Sequence, residues 1–105
     1  MKQAGLKSMG VNPKDITPET LDGMLKCCAV YIHRGQNFTV TSLNDSKHKV
    51  GSLHYKGRAF DIRTRDLKGI TPHEMALHLK AQLGTAFDVV VESDPPHIHV
   101  EFDPK

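Results

Sequence analysis

The last fifth of the chain contains two strand-like segments joined by a tight turn. The segment AFDVVVES is rich in valine, and HIHVEFD alternates strictly between polar and apolar residues. The prolines and aspartate of SDPP, between them, favour a turn. If SDPP closes a four-residue loop, Glu92 lies opposite His97. In the same register Val90 lies opposite His99, so the sequence predicts an antiparallel hairpin with one apolar and one polar face.

A first helix is predicted in TPETLDGMLKCCAVYIHRG. Thr17 is a candidate N-cap, Pro18 suits the first helical position, and Gly35 suits the end of the helix. Four residues fall on one face at helical spacing, as the core-facing side of an amphipathic helix does: Leu21, Leu25, Cys28 and Ile32.

A second helix is predicted in TPHEMALHLKAQLG, which opens with a capping box formed by Thr71 and Glu74 and ends at Gly84. Its buried stripe is expected to consist of Met75, Leu79 and Leu83.

Two further strands are predicted in NFTVTS and RAFDIRT. In the second of these, Phe60 and Ile62 point to one side of the sheet. Ala59, Asp61 and Arg63 therefore point to the other side. Asp61 can share a face with the histidines of the C-terminal strand.

The order helix, strand, strand, helix, strand, strand indicates an α+β domain, in which helices pack on one face of a small, mainly antiparallel sheet. A chain of 105 residues has the size of a single domain. We expect an irregular N-terminal arm over residues 1–16 and one folded domain over residues 17–105.

Composition narrows the classes of function. The formal net charge is +2 and the basic residues are scattered, so neither a nucleic acid nor a membrane surface is expected as a partner. The longest apolar runs fall short of the roughly 20 residues that cross a membrane. The N-terminal residues lack the apolar region of a signal peptide. Cys27 and Cys28 are adjacent, so they cannot bridge within a helix and are expected to be reduced.

Five side chains that suit a zinc site can meet on the polar sheet face: His54, Asp61, Glu92, His97 and His99. A catalytic zinc takes three protein ligands of these types, lowers the pKa of a water ligand to about 7 and polarises carbonyl groups. From the residues alone, an ordinary polar strand face is an equally good interpretation. Four other histidines have no matching partners and are expected at the surface or on helices: His33, His48, His73 and His78.

The segment SLHYKGRAFDI resembles the S-x-H-x-x-G-x-A-x-D signature of the zinc D-Ala-D-Ala carboxypeptidases and L-alanyl-D-glutamate endopeptidases. Five residues fill its fixed positions: Ser52, His54, Gly57, Ala59 and Asp61. HIHV is similar to the closing H-x-H element of the same family. The wider group includes lysostaphin-type enzymes and the hedgehog signalling domain, and the similarity spans about residues 37–103.

The resemblance implies that His54, Asp61 and His99 bind Zn²⁺. It implies a proton-transfer or oxyanion role for His97, with Glu92 as the second candidate for proton transfer through the hairpin pairing. It also makes Ser52 a candidate for substrate binding.

Two departures from the family pattern concern the substrate. Some relatives have a catalytic glutamate three residues before the last zinc ligand, where this chain has Pro96. Many carry a serine-glycine-tyrosine-arginine run whose arginine binds the substrate carboxylate, and here the corresponding stretch is SLND. Arg58 and Lys49 are candidates to compensate for that arginine.

The function that this resemblance implies is a monomeric zinc endopeptidase that cuts peptidoglycan stem peptides. We expect a phage or prophage enzyme that is made in the cytoplasm and acts at the bacterial cell wall, after holin-type release or as a virion component. The alternatives are a D-Ala-D-Ala carboxypeptidase or dipeptidase, a noncatalytic zinc- or wall-binding module, and a structural phage protein with a relic site.

Overall fold

A computed structural model describes the backbone of residues 4–6 and all atoms of residues 16–43 and 57–104. The predicted order of elements is confirmed, with one additional strand at the N-terminal end. The elements are β1 (Ala4–Leu6), α1 (Pro18–His33), β2 (Phe38–Leu43), β3 (Ala59–Arg63), α2 (Pro72–Leu83), β4 (Phe87–Ser93) and β5 (Pro96–Phe102).

The strands form one five-stranded sheet in the order β1-β2-β3-β5-β4. The pairs β2–β3, β3–β5 and β5–β4 are antiparallel, and β1 pairs with β2 in parallel. The expectation of an irregular arm is therefore wrong for residues 4–6. These three residues, two of which are small, are too few to show a hydrophobic periodicity. They form a strand because they pair with Phe38–Val40 of β2.

Helix α1 begins and ends where the sequence predicts. The Thr17 hydroxyl accepts a hydrogen bond from the Thr20 amide at 3.2 Å, and Gly35, just past the helix, has φ of +71°.

The face of α1 that packs on the sheet is not the predicted stripe. Leu21 and Leu25 are 40% and 60% exposed, whereas the buried residues are Thr20, Gly23, Cys27 and Tyr31. The reason is close packing at Gly23, where a Cβ would lie 2.5 Å from Cε2 of Phe87. Only a glycine allows the helix to approach β4 this closely.

Helix α2 has the predicted capping box. The Glu74 amide donates to the Thr71 hydroxyl at 3.1 Å, and the Thr71 amide donates to the Glu74 carboxylate at 3.0 Å. Its buried residues include the predicted stripe: Met75, Ala76, Leu79 and Leu83.

Both helices contribute to one hydrophobic core with the same face of the sheet. Cys27 and Tyr31 of α1 and Leu79 of α2 belong to a cluster with Phe60 and Ile98 of the sheet. Residues that alternate with these sheet residues lie on the opposite face, which we call the open face. In the described part of the chain, no helix is long and apolar enough to cross a membrane.

Candidate metal centre

The C-terminal hairpin has the predicted register. Glu92 pairs with His97, and Val90 pairs with His99. Pairing continues from Ser93 to Pro96, which leaves Asp94 and Pro95 at the tip. His97 and His99 therefore lie on the open face, as the alternation of the last strand predicts.

Strand β3 brings the predicted carboxylate to these histidines. Asp61 pairs with His99, and Arg63 pairs with His97, across the β3–β5 ladder. The open face thus carries neighbouring rows of polar side chains drawn from β3, β5 and β4. Asp61 is only 9% exposed, so its carboxylate lies at the bottom of the site and not at its rim.

The His99 imidazole lies between two carboxylates. Its Nδ1 is 2.9 Å from Asp61 Oδ1, and its Nε2 is 2.6 Å from Glu101 Oε1. Burial lowers the pKa of His99, but the hydrogen bonds and charges of Asp61 and Glu101 together raise it to about 9. A neutral imidazole has one N–H, so it can donate to only one of these two carboxylates.

His99 Nδ1 and Asp61 Oδ1, 2.9 Å apart, are donors that would suit a zinc ion. A cation there would satisfy the Asp61 oxygen in place of the Nδ1 proton, and Nε2–H would still donate to Glu101. Histidines that bind metals commonly donate their other ring N–H to a carboxylate, which fixes the tautomer and orientation of the ring. The donor set, imidazole nitrogen and carboxylate oxygen, is also one that zinc prefers.

His97 and Glu92 form a second pair beside this centre. His97 Nε2 is 2.9 Å from Glu92 Oε1 and 3.7 Å from Asp61 Oδ1. Its Nδ1 contacts the Pro95 carbonyl, which can only accept, so Nδ1 carries a proton and donates it. Nε2 then faces the Glu92 carboxylate. The side chain of Glu92 is 49% exposed, so this pair opens to solvent.

A third group on the open face is purely acidic. Asp88, Glu101 and Asp103 offer carboxylate oxygens that all lie within 4.8 Å of one another. Asp88 pairs with Glu101 across the hairpin. The contact of Glu101 with His99 joins this group to the candidate zinc site. The site is therefore surrounded by negatively charged carboxylates.

The other predicted residues are distributed as follows. His54 and Ser52 lie outside the described residues, as do His48 and Lys49. His33, His73 and His78 lie on the helices or at their ends, away from the open face. His33 and His78 line a cavity of about 510 Å³ between α1 and α2, together with Ala29, Val30, Arg34, Ala81 and Gln82.

Sequence reasoning did not assign a role to Glu101 or Ser42. The alternation of HIHVEF places Glu101 on the same face as His99, and that signal was sufficient to find it. Ser42 pairs with Asp61 through an irregularity in β2. No pattern in the sequence marks that irregularity.

These observations define an α+β domain with candidate metal ligands on its open face. A sequence model of the Hedgehog amino-terminal signalling domain matches residues 32–101, well over half of the chain. The chain therefore belongs to this family, whose fold is related to that of zinc peptidases. No curated protein matches the chain.

Proposed function

We propose that this protein is a zinc-dependent endopeptidase that hydrolyses peptide bonds in the stem peptides of bacterial peptidoglycan. The observation that carries the proposal is the 2.9 Å separation of His99 Nδ1 and Asp61 Oδ1, with the His97–Glu92 pair in the next row. The substrate class is supported by the resemblance of SLHYKGRAFDI and HIHV to peptidoglycan peptidases.

The zinc ligands in this proposal are Asp61 and His99 together with His54. A bound zinc polarises the scissile carbonyl and makes water nucleophilic at neutral pH. Glu101 contributes by fixing the His99 tautomer, because its carboxylate accepts the Nε2 proton at 2.6 Å.

His97 and Glu92 move the protons of the reaction. The Pro95 carbonyl holds Nδ1 and so orients the ring, with Nε2 2.9 Å from Glu92 Oε1. The pair takes a proton from the attacking water and returns it to the leaving amine. Because the Glu92 side chain is half exposed, the pair can also exchange protons with solvent.

Arg63 is the residue that we assign to the substrate carboxylate. It pairs with His97 on the open face, and its only described ion pair is a long one, 3.6 Å from Nη1 to Asp66 Oδ2. Strand alternation groups Arg58 with Phe60 and so with the core side, which disfavours Arg58 in this role. A guanidinium can bind a carboxylate through two parallel hydrogen bonds.

The experiment is digestion of isolated peptidoglycan by the purified zinc-loaded protein, with mass spectrometry of the released muropeptides. We expect cleavage within the stem peptide, loss of cleavage in His97→Ala, and unchanged cleavage in His33→Ala, a matched change on the helical side. Release of terminal D-alanine alone would instead identify a carboxypeptidase. No cleavage across several cell-wall types and pH values would contradict the enzymatic proposal.

A second candidate is a noncatalytic zinc-binding module that recognises wall peptides. It is favoured by the family itself, since the matching model describes a signalling domain and not an enzyme. This candidate predicts one bound zinc, no cleavage, and binding of a stem peptide that His97→Ala leaves unchanged.

We also propose that the protein is encoded by a phage or prophage and acts at the bacterial cell wall. Activity at the cell wall is what a stem-peptide substrate requires. Lysis of cells by protein added from outside, compared with protein expressed inside without a release factor, tests this place of action directly.

A further inference from the structure

Strand β2 contains a β-bulge that turns Ser42 onto the open face. Val40 pairs with Ile62 and Ser42 with Asp61, so two steps along β2 correspond to one step along β3. Without the extra residue, Thr41, strand alternation would place Ser42 with Phe38 and Val40 in the core. With it, Leu43 is buried instead and Ser42 lies opposite Asp61. Bulges commonly re-aim a side chain in this way beside functional sites.

The Ser42 hydroxyl has no hydrogen-bond partner although it is buried. Among the described residues, Ser42 Oγ and Tyr31 Oη are the buried side-chain atoms without a partner. The Tyr31 ring packs edge-on against Phe38 in the core, which accounts for its position. Ser42 has no such explanation, because serine contributes little apolar surface to packing. A buried hydroxyl without a partner costs about 1–3 kcal/mol, so its retention requires a reason.

Asp61, which lies opposite Ser42 on β3, supplies the reason for a hydroxyl at this position. Residues directly opposite in antiparallel strands have Cβ atoms about 4.5–5.5 Å apart, within reach of a hydrogen bond between short polar side chains. A carboxylate offers about four lone-pair positions on two oxygens, so Asp61 can accept from Ser42 while Oδ1 faces His99. Ser42, Asp61 and His99 form one continuous row across β2, β3 and β5.

We propose that Ser42 is a positioning residue: its hydroxyl, which has no partner in the metal-free protein, donates a hydrogen bond to the Asp61 carboxylate opposite it once zinc binds, and so holds that carboxylate in the orientation that binds zinc. This role rests on the proposed zinc site and does not depend on peptidase activity. With this role, each of the two described ligands has a hydrogen-bonding partner: Ser42 for Asp61 and Glu101 for His99. Partners of this kind typically change metal affinity 10–100-fold when they are removed.

The test is a zinc competition titration against a chromophoric chelator, paired with urea unfolding of the metal-free protein. For Ser42→Ala we expect zinc affinity to fall about tenfold. We expect the stability of the metal-free variant to stay equal or to rise, because a buried hydroxyl without a partner has been removed. Ser42→Thr keeps a hydroxyl and should restore most of the affinity, and Ser93→Ala at the exposed end of β4 is the matched control.

The visible spectrum of the cobalt-substituted protein gives an independent readout, since a reoriented Asp61 carboxylate alters the ligand field. We expect this spectrum to change in Ser42→Ala and to stay as in the wild type in Ser93→Ala.

Each alternative outcome overturns a distinct statement. If the wild type binds zinc and Ser42→Ala binds it equally well, the positioning role is wrong while the zinc site stands. If Ser42→Ala loses stability in the metal-free state and keeps its zinc affinity, the hydroxyl has a purely structural role. If the wild type binds no zinc, the proposed site and this inference are both wrong.

Discussion

The substitution Gly23→Ala tests which face of α1 packs on the sheet. In an exposed helix this change is stabilising, because alanine has the higher helix propensity by about 1 kcal/mol. Here the added methyl would lie 2.5 Å from Cε2 and 2.6 Å from Cζ of Phe87. The Phe87 ring is itself packed against Phe102, with ring centroids 5.3 Å apart, so it cannot move away freely.

The size of the effect follows from these two opposing contributions. Overpacking of this kind typically costs about 1–3 kcal/mol, which exceeds the gain in helix propensity. We therefore expect a net loss of about 1 kcal/mol in the free energy of unfolding. In a domain of this size that loss lowers Tm by roughly 4–8 °C.

Urea unfolding followed by circular dichroism measures this loss, and Leu25→Ala provides the contrast. Leu25 is 60% exposed, so truncating it should change stability by only about 0.5 kcal/mol. Phe87→Leu combined with Gly23→Ala should recover part of the loss, since the smaller side chain makes room for the methyl. A stabilising Gly23→Ala together with a Leu25→Ala cost of about 2–5 kcal/mol would show that the leucine stripe is the buried face after all.

Two further predictions concern ionisable groups. The pKa of His99 is raised to about 9, so its stabilising contribution to the metal-free protein is complete below the ordinary pKa of about 6.5 and is lost as pH rises through 9. Urea midpoints should fall over this range in the wild type and not in His99→Asn, and equal slopes would contradict the contacts of His99. Burial, aided by the charge of Cys28, raises the pKa of Cys27 to about 12. Iodoacetamide at pH 8 should therefore label Cys28 in the native protein and Cys27 only after unfolding. Mass spectrometry measures the labelling of each thiol, and equal labelling of both in the native protein would show that Cys27 is accessible.

The sequence was a good guide wherever periodicity and turn length determine geometry. The strict alternation of HIHVEF fixed the faces of His97 and His99, and the short SDPP connection fixed their partners, including Glu92. Asp61 followed from the same rule in RAFDIRT. Strand alternation has a period of two, so a correct turn leaves only one arrangement of side chains.

The features that the sequence did not predict have a common physical cause. They depend on packing contacts that the pattern of apolar and polar residues does not reveal. Gly23 has no side chain, so it does not contribute to a pattern of apolar residues. Its contact with Phe87 nevertheless determines which face of α1 is buried. The bulge at Thr41 inserts one residue into a regular alternation and moves Ser42 to the opposite face from the one that counting predicts. Both depend on tertiary contacts between elements distant in sequence.

The candidate metal site was predicted in part. Asp61 and His99 meet as expected at 2.9 Å, while His54 lies outside the described residues and remains a predicted ligand. Glu101 was not assigned a role, although the alternation of HIHVEF places it on the same face as its partner His99.

Elemental analysis of zinc in the purified protein tests the central claim most directly. We predict one zinc per protein molecule in the wild type and in His33→Ala, and less than a tenth of that in His99→Ala and in Asp61→Ala, whose ligand atoms define the centre. Zinc retained at full stoichiometry in His99→Ala and Asp61→Ala, or absent from the wild type after zinc loading, would contradict the metal centre on which the proposed peptidase depends.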